Sequence, residues 1–94
     1  MLKGGIYVKT LKELRMEYGL TQEELANLFQ VTSRTIQNME KDSSNIKDSL
    51  LKKYMEAFCV NYDDIFLGNE YENFAHAEEK KKSILMTFKK KQPS

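Results

Sequence analysis

The sequence is poor in the residues that build disulfides, metal centres and thiol active sites. It contains one cysteine, Cys59, and one histidine, His76, among 94 residues. A single cysteine excludes an internal disulfide, and its apolar neighbours Phe58 and Val60 favour a small buried side chain at that position. Because the lone histidine has no evident partner, we expect no catalytic pair, no metal site, no cofactor and no enzymatic activity.

Long hydrophobic runs and an excess of one charge are also absent. No apolar segment is long enough to span a membrane, and the first ten residues lack the apolar stretch of a signal peptide, so we expect a cytoplasmic protein. Fifteen basic and 14 acidic residues leave a net charge of +1. Any binding of nucleic acid must therefore come from local placement of charge. The chain suffices for one small domain, whose modest core makes dimerisation helpful.

What the sequence does contain is a series of short amphipathic segments. Apolar residues three or four positions apart predict one helix over 8–18 and another over 46–58. Asn61 predicts the start of a short last helix that ends at Gly68. Residues 1–7 hold two adjacent glycines and are predicted to form a flexible lead.

Two N-capping signals lie between these helices. Thr21 with Glu24 three residues later is a capping box, and it predicts a helix that runs to Phe29. Thr32 predicts the cap of a second short helix over 33–40. Two short helices joined by a tight turn are typical of a helix-turn-helix.

The residues in and around this motif resemble the Cro-and-repressor type of helix-turn-helix, the Cro/C1 or XRE family of the phage repressors. The matching positions are Leu14-Arg15, the run from Gly19 to Ala26, Val31-Thr32, Ile36, Glu40, and Ile65 to Gly68, which resembles the family's fifth helix. The resemblance covers about residues 8–68. It implies an all-α, five-helix lambda-repressor-like DNA-binding domain, followed by a C-terminal tail over 69–94. It also implies a phage or mobile-element repressor, with an ion pair between Arg15 and Glu40 that fixes the recognition helix.

The helix over 33–40 is the predicted recognition helix. The major groove accepts one α-helix, whose first residues meet the base edges. Arg34 suits a bidentate pair with guanine, and Asn38 suits one with adenine. With the family resemblance, the predicted base-reading residues are Thr32, Ser33, Arg34, Gln37 and Asn38. A merely solvated helix face is the alternative interpretation.

Phosphate contacts are predicted on both sides of the recognition helix. The N–H groups at the start of the preceding helix lie at the positive end of its dipole, which suits an anion. The family uses the glutamine at the position of Gln22 in this way. The predicted phosphate-binding residues are Thr21, Gln22, Lys41, Ser43, Ser44 and Asn45. Asp42 departs from this pattern, since a carboxylate there opposes phosphate unless it turns away.

The tail over 69–94 concentrates the positive charge of the chain. It carries six lysines and four glutamates, whereas the first 68 residues carry nine basic and ten acidic groups. Three interpretations stay open: a solvated end, an arm that reaches DNA phosphates, or a strand or helix around 84–88 that pairs with a second subunit.

The expected partner is double-stranded DNA, bound by a homodimer. Two recognition helices would reach two half-sites about 34 Å apart. The alternative function is a protein-interaction module of the same fold, such as the antitoxin of a toxin–antitoxin pair, with its protein partner held through residues 69–94.

Overall fold

The computed structural model describes residues 8–91, with side chains through Phe88, so the predicted lead over 1–7 lies outside the described residues. The described chain holds five α-helices, α1 Leu11–Glu17, α2 Gln22–Phe29, α3 Ser33–Lys41, α4 Asp48–Phe58 and α5 Glu70–Lys91. It also holds two short strands, β1 Lys9–Thr10 and β2 Ile65–Phe66, and a 3₁₀ turn, Tyr62–Asp64. The predicted helical fold class is confirmed, with the strand pair as an addition to it.

Three threonines start the first three helices. The hydroxyls of Thr10 and Thr21 accept the amides of Glu13 and Glu24 at 3.1 and 3.0 Å, and each glutamate accepts the threonine amide in return. Thr32 accepts the amide three residues later at 3.1 Å. These caps satisfy amides that have no partner inside the helix, which is why each helix begins where it does.

Three helix ends share another device, a residue in the left-handed region followed by an apolar one. The left-handed residues are Gly19 (φ 69°), Gln30 (φ 59°) and Cys59 (φ 53°). In each case the next amide bonds the carbonyl five residues earlier, at 3.0–3.2 Å. This is the Schellman arrangement, which stops a helix sharply. The expectation of a buried Cys59 is wrong, because at this turn the side chain is exposed.

The prediction of a short last helix after Asn61 is wrong beyond its first turn. After the 3₁₀ turn the chain extends, and Ile65 and Phe66 pair in parallel with Lys9 and Thr10. Ile65 is buried, and its branched side chain suits a strand better than a helix end. The predicted first helix is correspondingly shorter, because residues 9 and 10 form the partner strand.

The core lies behind the helix-turn-helix. Its buried apolar side chains are Leu11, Leu14, Leu25, Ala26, Phe29, Ile36, Leu50, Leu51, Tyr54, Phe58 and Ile65. Tyr54 is fully buried at the centre, with its ring 5.0 Å from that of Phe29 in an edge-to-face pair. Helices α2 and α3 therefore bury one face each and leave their polar faces outside.

The tail is a long helix rather than an extended arm. Asn69 and Glu72 form a capping box at its start, with bonds of 2.8 and 2.9 Å. The first half of α5 docks on the domain, whereas every side chain from Lys81 to Phe88 is exposed. No helix in residues 8–91 is both long and apolar enough to cross a membrane.

Candidate nucleic-acid interface

The turn between α2 and α3 sets how α3 leaves the domain. Gln30 reverses the chain in the left-handed region, and Thr32 starts α3 two residues later. Ile36 is fully buried and anchors α3 to the core, and Ala26 is small enough to let the two helices pack closely. One face of α3 is thereby fixed inward and the opposite face outward.

The outward face of α3 carries the predicted base-reading residues. Arg34, Gln37 and Asn38 are exposed, and within the described part of the chain their side chains have no hydrogen-bond partner. Ser33 is half-buried beside them. Thr32 is exposed, and its hydroxyl accepts the Thr35 amide and lies 3.0 Å from the Thr35 hydroxyl. The five residues lie together on the first turns of the helix.

A nearly buried ion pair holds the far end of α3 against α1. The predicted pair is present: Arg15 Nε and Nη2 donate to the two carboxylate oxygens of Glu40, the second at 3.0 Å. The two side chains are only 10% and 4% exposed. Arg15 Nη1 also donates to the Leu20 carbonyl at 2.7 Å. The hydrogen bond to Glu40 raises the pKa of Arg15 above its ordinary value, so the guanidinium stays charged at any physiological pH.

Gln22, predicted to bind phosphate, is part of the same network. Its Nε2 donates to Glu40 Oε1 at 3.0 Å. An amide nitrogen carries two N–H groups, so one donor remains for an outside ligand. Thr21 is exposed, and its hydroxyl accepts the Glu24 amide while keeping its own O–H as a donor.

The end of α3 and the loop after it bring only part of the predicted phosphate contacts to the surface. Lys41 and Asn45 are exposed. Ser43 is 2% exposed, so it does not face a ligand. Its hydroxyl accepts the Gly68 amide at 2.9 Å and donates to the Gly68 carbonyl at 3.2 Å. A serine in a polar loop is usually exposed, and only this long-range contact buries it.

Ser44 and Asp42 bind each other in the same loop. The hydroxyl and the amide of Ser44 donate to Asp42 Oδ1 at 2.6 and 3.0 Å. These two hydrogen bonds lower the pKa of Asp42 below its ordinary value, so the carboxylate stays ionised. The negative charge that we predicted to oppose phosphate is therefore present, and the Asp42 carboxylate that carries it is bound to Ser44 within the loop.

The family model for the helix-turn-helix matches residues 11–65. This span covers α1 to β2 and includes both helices of the motif. The chain belongs to the Cro/C1-type (XRE) helix-turn-helix family. This is a family of DNA-binding transcriptional regulators and not of enzymes.

Several relatives carry the same designation. Two uncharacterised HTH-type transcriptional regulators of Archaeoglobus fulgidus are 36% and 37% identical over 62 residues, which cover 66% of this chain and 89% and 87% of theirs. An HTH-type transcriptional regulatory protein of Pyrococcus abyssi is 30% identical over 91 residues, 81% of this chain but 29% of that longer protein. The similarity to the archaeal pair therefore spans almost their whole length.

Sequence reasoning missed two groups that cap the helices of this XRE-type motif. Asn73 on α5 donates its Nδ2 to the carbonyls of Lys41 at 2.9 Å and Glu40 at 3.4 Å, at the C-terminus of α3. Lys53 donates to the Phe29 carbonyl at 2.7 Å, at the C-terminus of α2. The capping box that starts α5 was the available signal for the first group, because it predicts a helix where we expected a tail.

Proposed function

We propose that the protein is a sequence-specific, double-stranded DNA-binding repressor that reads the major groove with the first turns of α3. The observation that carries this proposal is the unpartnered polar face of α3, on a helix fixed behind by Ile36 and by the buried Arg15–Glu40 pair. Free donors and acceptors on a rigid helix are what base recognition requires, since flexible groups lose entropy on binding.

Base reading is assigned to five residues of this face. Arg34 presents a fork of donors for the O6 and N7 of guanine, and Asn38 one turn later presents a donor and an acceptor for adenine. Gln37 lies beside them. The Ser33 hydroxyl can donate to or accept from a base edge, and Thr32 offers its methyl group to that of thymine. Each bidentate pair contributes roughly 1–3 kcal/mol of discrimination.

Phosphate binding is assigned to the two ends of the motif. Thr21 and Gln22 lie at the positive end of α2 and each keep one free donor. From the end of α3 we retain Lys41, and from the loop after it Asn45. Ser43 and Ser44 already donate inside the protein, so we remove them from the proposed set.

Repression and a two-fold operator complete the proposal. A single recognition helix touches few bases, whereas a homodimer on two half-sites about 34 Å apart doubles the contacts. A dimer bound over a promoter would block transcription from it. We place this activity in the cytoplasm. The phage or mobile-element setting is supported by the family resemblance alone.

The proposal is tested by selecting a preferred duplex from a random library and measuring fluorescence anisotropy across a salt series. Arg34→Ala should lose about tenfold to a hundredfold in affinity for the selected duplex while its binding of random duplex falls little. Lys52→Ala, which removes one exposed lysine on α4, is the charge-matched control and should keep the preference. The native salt slope should be steep and negative.

An antitoxin-like interaction module is the second candidate. The exposed apolar side chains of α5, including Phe74 and Ile84, favour it because they suit a protein surface. If neither the native chain nor the Lys52→Ala variant binds any duplex at low salt and micromolar concentration, the repressor proposal is wrong and this candidate replaces it.

A further inference from the structure

Helix α5 leaves an apolar stripe exposed along one of its sides. Along one side of the helix lie Phe74, Ala77, Lys81, Ile84 and Phe88, separated alternately by three and four residues. This is the spacing of a coiled-coil seam. The three large side chains are 60–67% exposed.

The domain does not cover this stripe because α5 docks through a different side. The side chain of Asn73 bonds the end of α3, His76 lies 3.0 Å from the Val8 carbonyl and stacks on Phe66, and Lys80 pairs with Glu13. On the helix these three docking residues lie roughly a quarter turn from the stripe. The seam therefore stays open while the docked side fixes where α5 points.

The charges of α5 are divided between its two halves. The first ten residues carry four glutamates and no lysine, and the next three residues are Lys80, Lys81 and Lys82. Two parallel copies would align like charges and place Lys81 against Lys81 in the seam. Two antiparallel copies bring acidic and basic halves together, and opposite charges at these positions set the orientation of paired helices.

From these observations, and resting on the proposed dimeric repressor, we infer that α5 pairs with α5 of a second copy in an antiparallel arrangement. In that register Phe74 packs against the partner's Ile84, and Tyr71 against the partner's Leu85. At the centre, Ala77 leaves room for the stem of the partner's Lys81, whose ammonium reaches Glu78.

The surface available is that of a weak dimer. Tyr71, Phe74, Ile84, Leu85 and Phe88 are 55–77% exposed, and each buries on the order of 100 Å² on pairing. Two copies thus bury about 1,000 Å², near the lower limit of about 1,200 Å² for specific interfaces. We expect a dissociation constant in the micromolar range without DNA.

The first experiment measures the association state of the full chain by sedimentation equilibrium in the absence of DNA. Ile84→Glu should raise the dissociation constant at least tenfold, because it places an unpaired charge in the seam. Met86→Glu is the matched control, because Met86 is similarly exposed (59% against 67% for Ile84) and lies on the other side of the helix. This change should leave the dissociation constant unchanged. Glu78→Lys and Lys81→Glu should each weaken the dimer, and the double reversal should restore it.

The orientation is tested by disulfide cross-linking in a Cys59→Ser background. Ala77→Cys and Lys81→Cys chains of different mass, mixed and oxidised, should give mainly the mixed 77–81 disulfide. If the mixture instead gives mainly the 77–77 and 81–81 disulfides, the helices are parallel and the inference is overturned. A monomer at hundreds of micromolar, or equal effects of Ile84→Glu and Met86→Glu, would overturn it too.

These results separate the pairing from the DNA-binding proposal. Arg34→Ala should stay dimeric, and Ile84→Glu should keep binding of random duplex while losing the preference for a two-fold site. A dimer that binds no duplex would overturn the repressor proposal alone, and a monomer that reads a selected half-site would overturn the pairing alone.

Discussion

Replacing Arg15 by methionine tests how strongly the buried pair holds the recognition helix. The change leaves the Glu40 carboxylate 4% exposed, with Gln22 as its remaining hydrogen-bond donor. It also leaves the Leu20 carbonyl without the donor that it has at 2.7 Å. An unpaired buried charge of this kind costs about 3–5 kcal/mol, and a domain of this size has only about 5–15 kcal/mol of stability.

The reverse change, Glu40→Leu, leaves the guanidinium of Arg15 10% exposed and bound to one carbonyl only. We expect about 3 kcal/mol of destabilisation. The double variant Arg15→Met/Glu40→Leu removes both charges and replaces them with apolar groups that pack against the core, so it should cost only about 1–2 kcal/mol. The coupling free energy is then about 4 kcal/mol or more, far above that of an exposed pair.

The assay is urea unfolding followed by circular dichroism at one fixed protein concentration, because dimerisation shifts apparent stability. A double variant that costs the sum of the two single changes would refute the coupling. The double variant should also regain stability without regaining full preference for the selected duplex, since the charged fork fixes the angle of α3 and two apolar side chains do not. Full recovery of that preference would show that the core alone sets the angle.

Three further changes test other parts of the structure. Tyr54→Phe removes a buried hydroxyl that has no partner in the described chain, so thermal unfolding should show a neutral or stabilising effect of up to about 1 kcal/mol, whereas a clear loss would reveal a partner. Gly68→Ala places a Cβ 2.8 Å from Glu72 Oε1 and should cost about 1–3 kcal/mol, with faster amide exchange at the start of α5. Burial alone would raise the pKa of Glu13, but the Thr10 amide and Lys80 outweigh it and hold the pKa below 4.5. The stability from this carboxylate, about 0.5 kcal/mol, is therefore present above pH 4.5 and lost as the pH falls through the lower folded-state pKa. Glu13→Gln keeps an oxygen for the cap but no charge, so acid unfolding should lose this part of its pH dependence.

The helix-turn-helix could be predicted because its signals are local. Each helix start is signalled within four residues of sequence, by Thr21 with Glu24 for α2 and by Thr32 with the residues after it for α3. The positions of Gln22 and Glu40 followed from the family resemblance. Their hydrogen bond to each other did not follow from it, because a resemblance gives the role of a residue and not its partners.

The strand pair could not be predicted by the same means, whereas Asn69 and Glu72 were a local signal for α5 that we did not use. Lys9 pairs with Ile65, which lies near the other end of the domain's sequence. Strands of two residues are also too short to show a period-two pattern. Ser43 was expected at the surface because its neighbours are polar, yet its hydrogen bonds with Gly68 bury it. The errors at the strands and at Ser43 have one cause, since each depends on contacts between residues far apart in the chain.

Helix α5 connects the proposed dimer to the proposed DNA contacts. Asn73 caps the last turn of α3 through the carbonyls of Glu40 and Lys41, next to the ion pair that holds the same turn from the other side. The end of α3 is therefore held by α1 and α5 together. If α5 pairs with its copy, the distance between the two recognition helices is fixed by a rigid path of a few hydrogen bonds, with no flexible linker in between. A chain with nearly balanced charge gains little from general attraction to DNA, so under the proposal such a fixed spacing would be the physical property that lets it favour one operator over others.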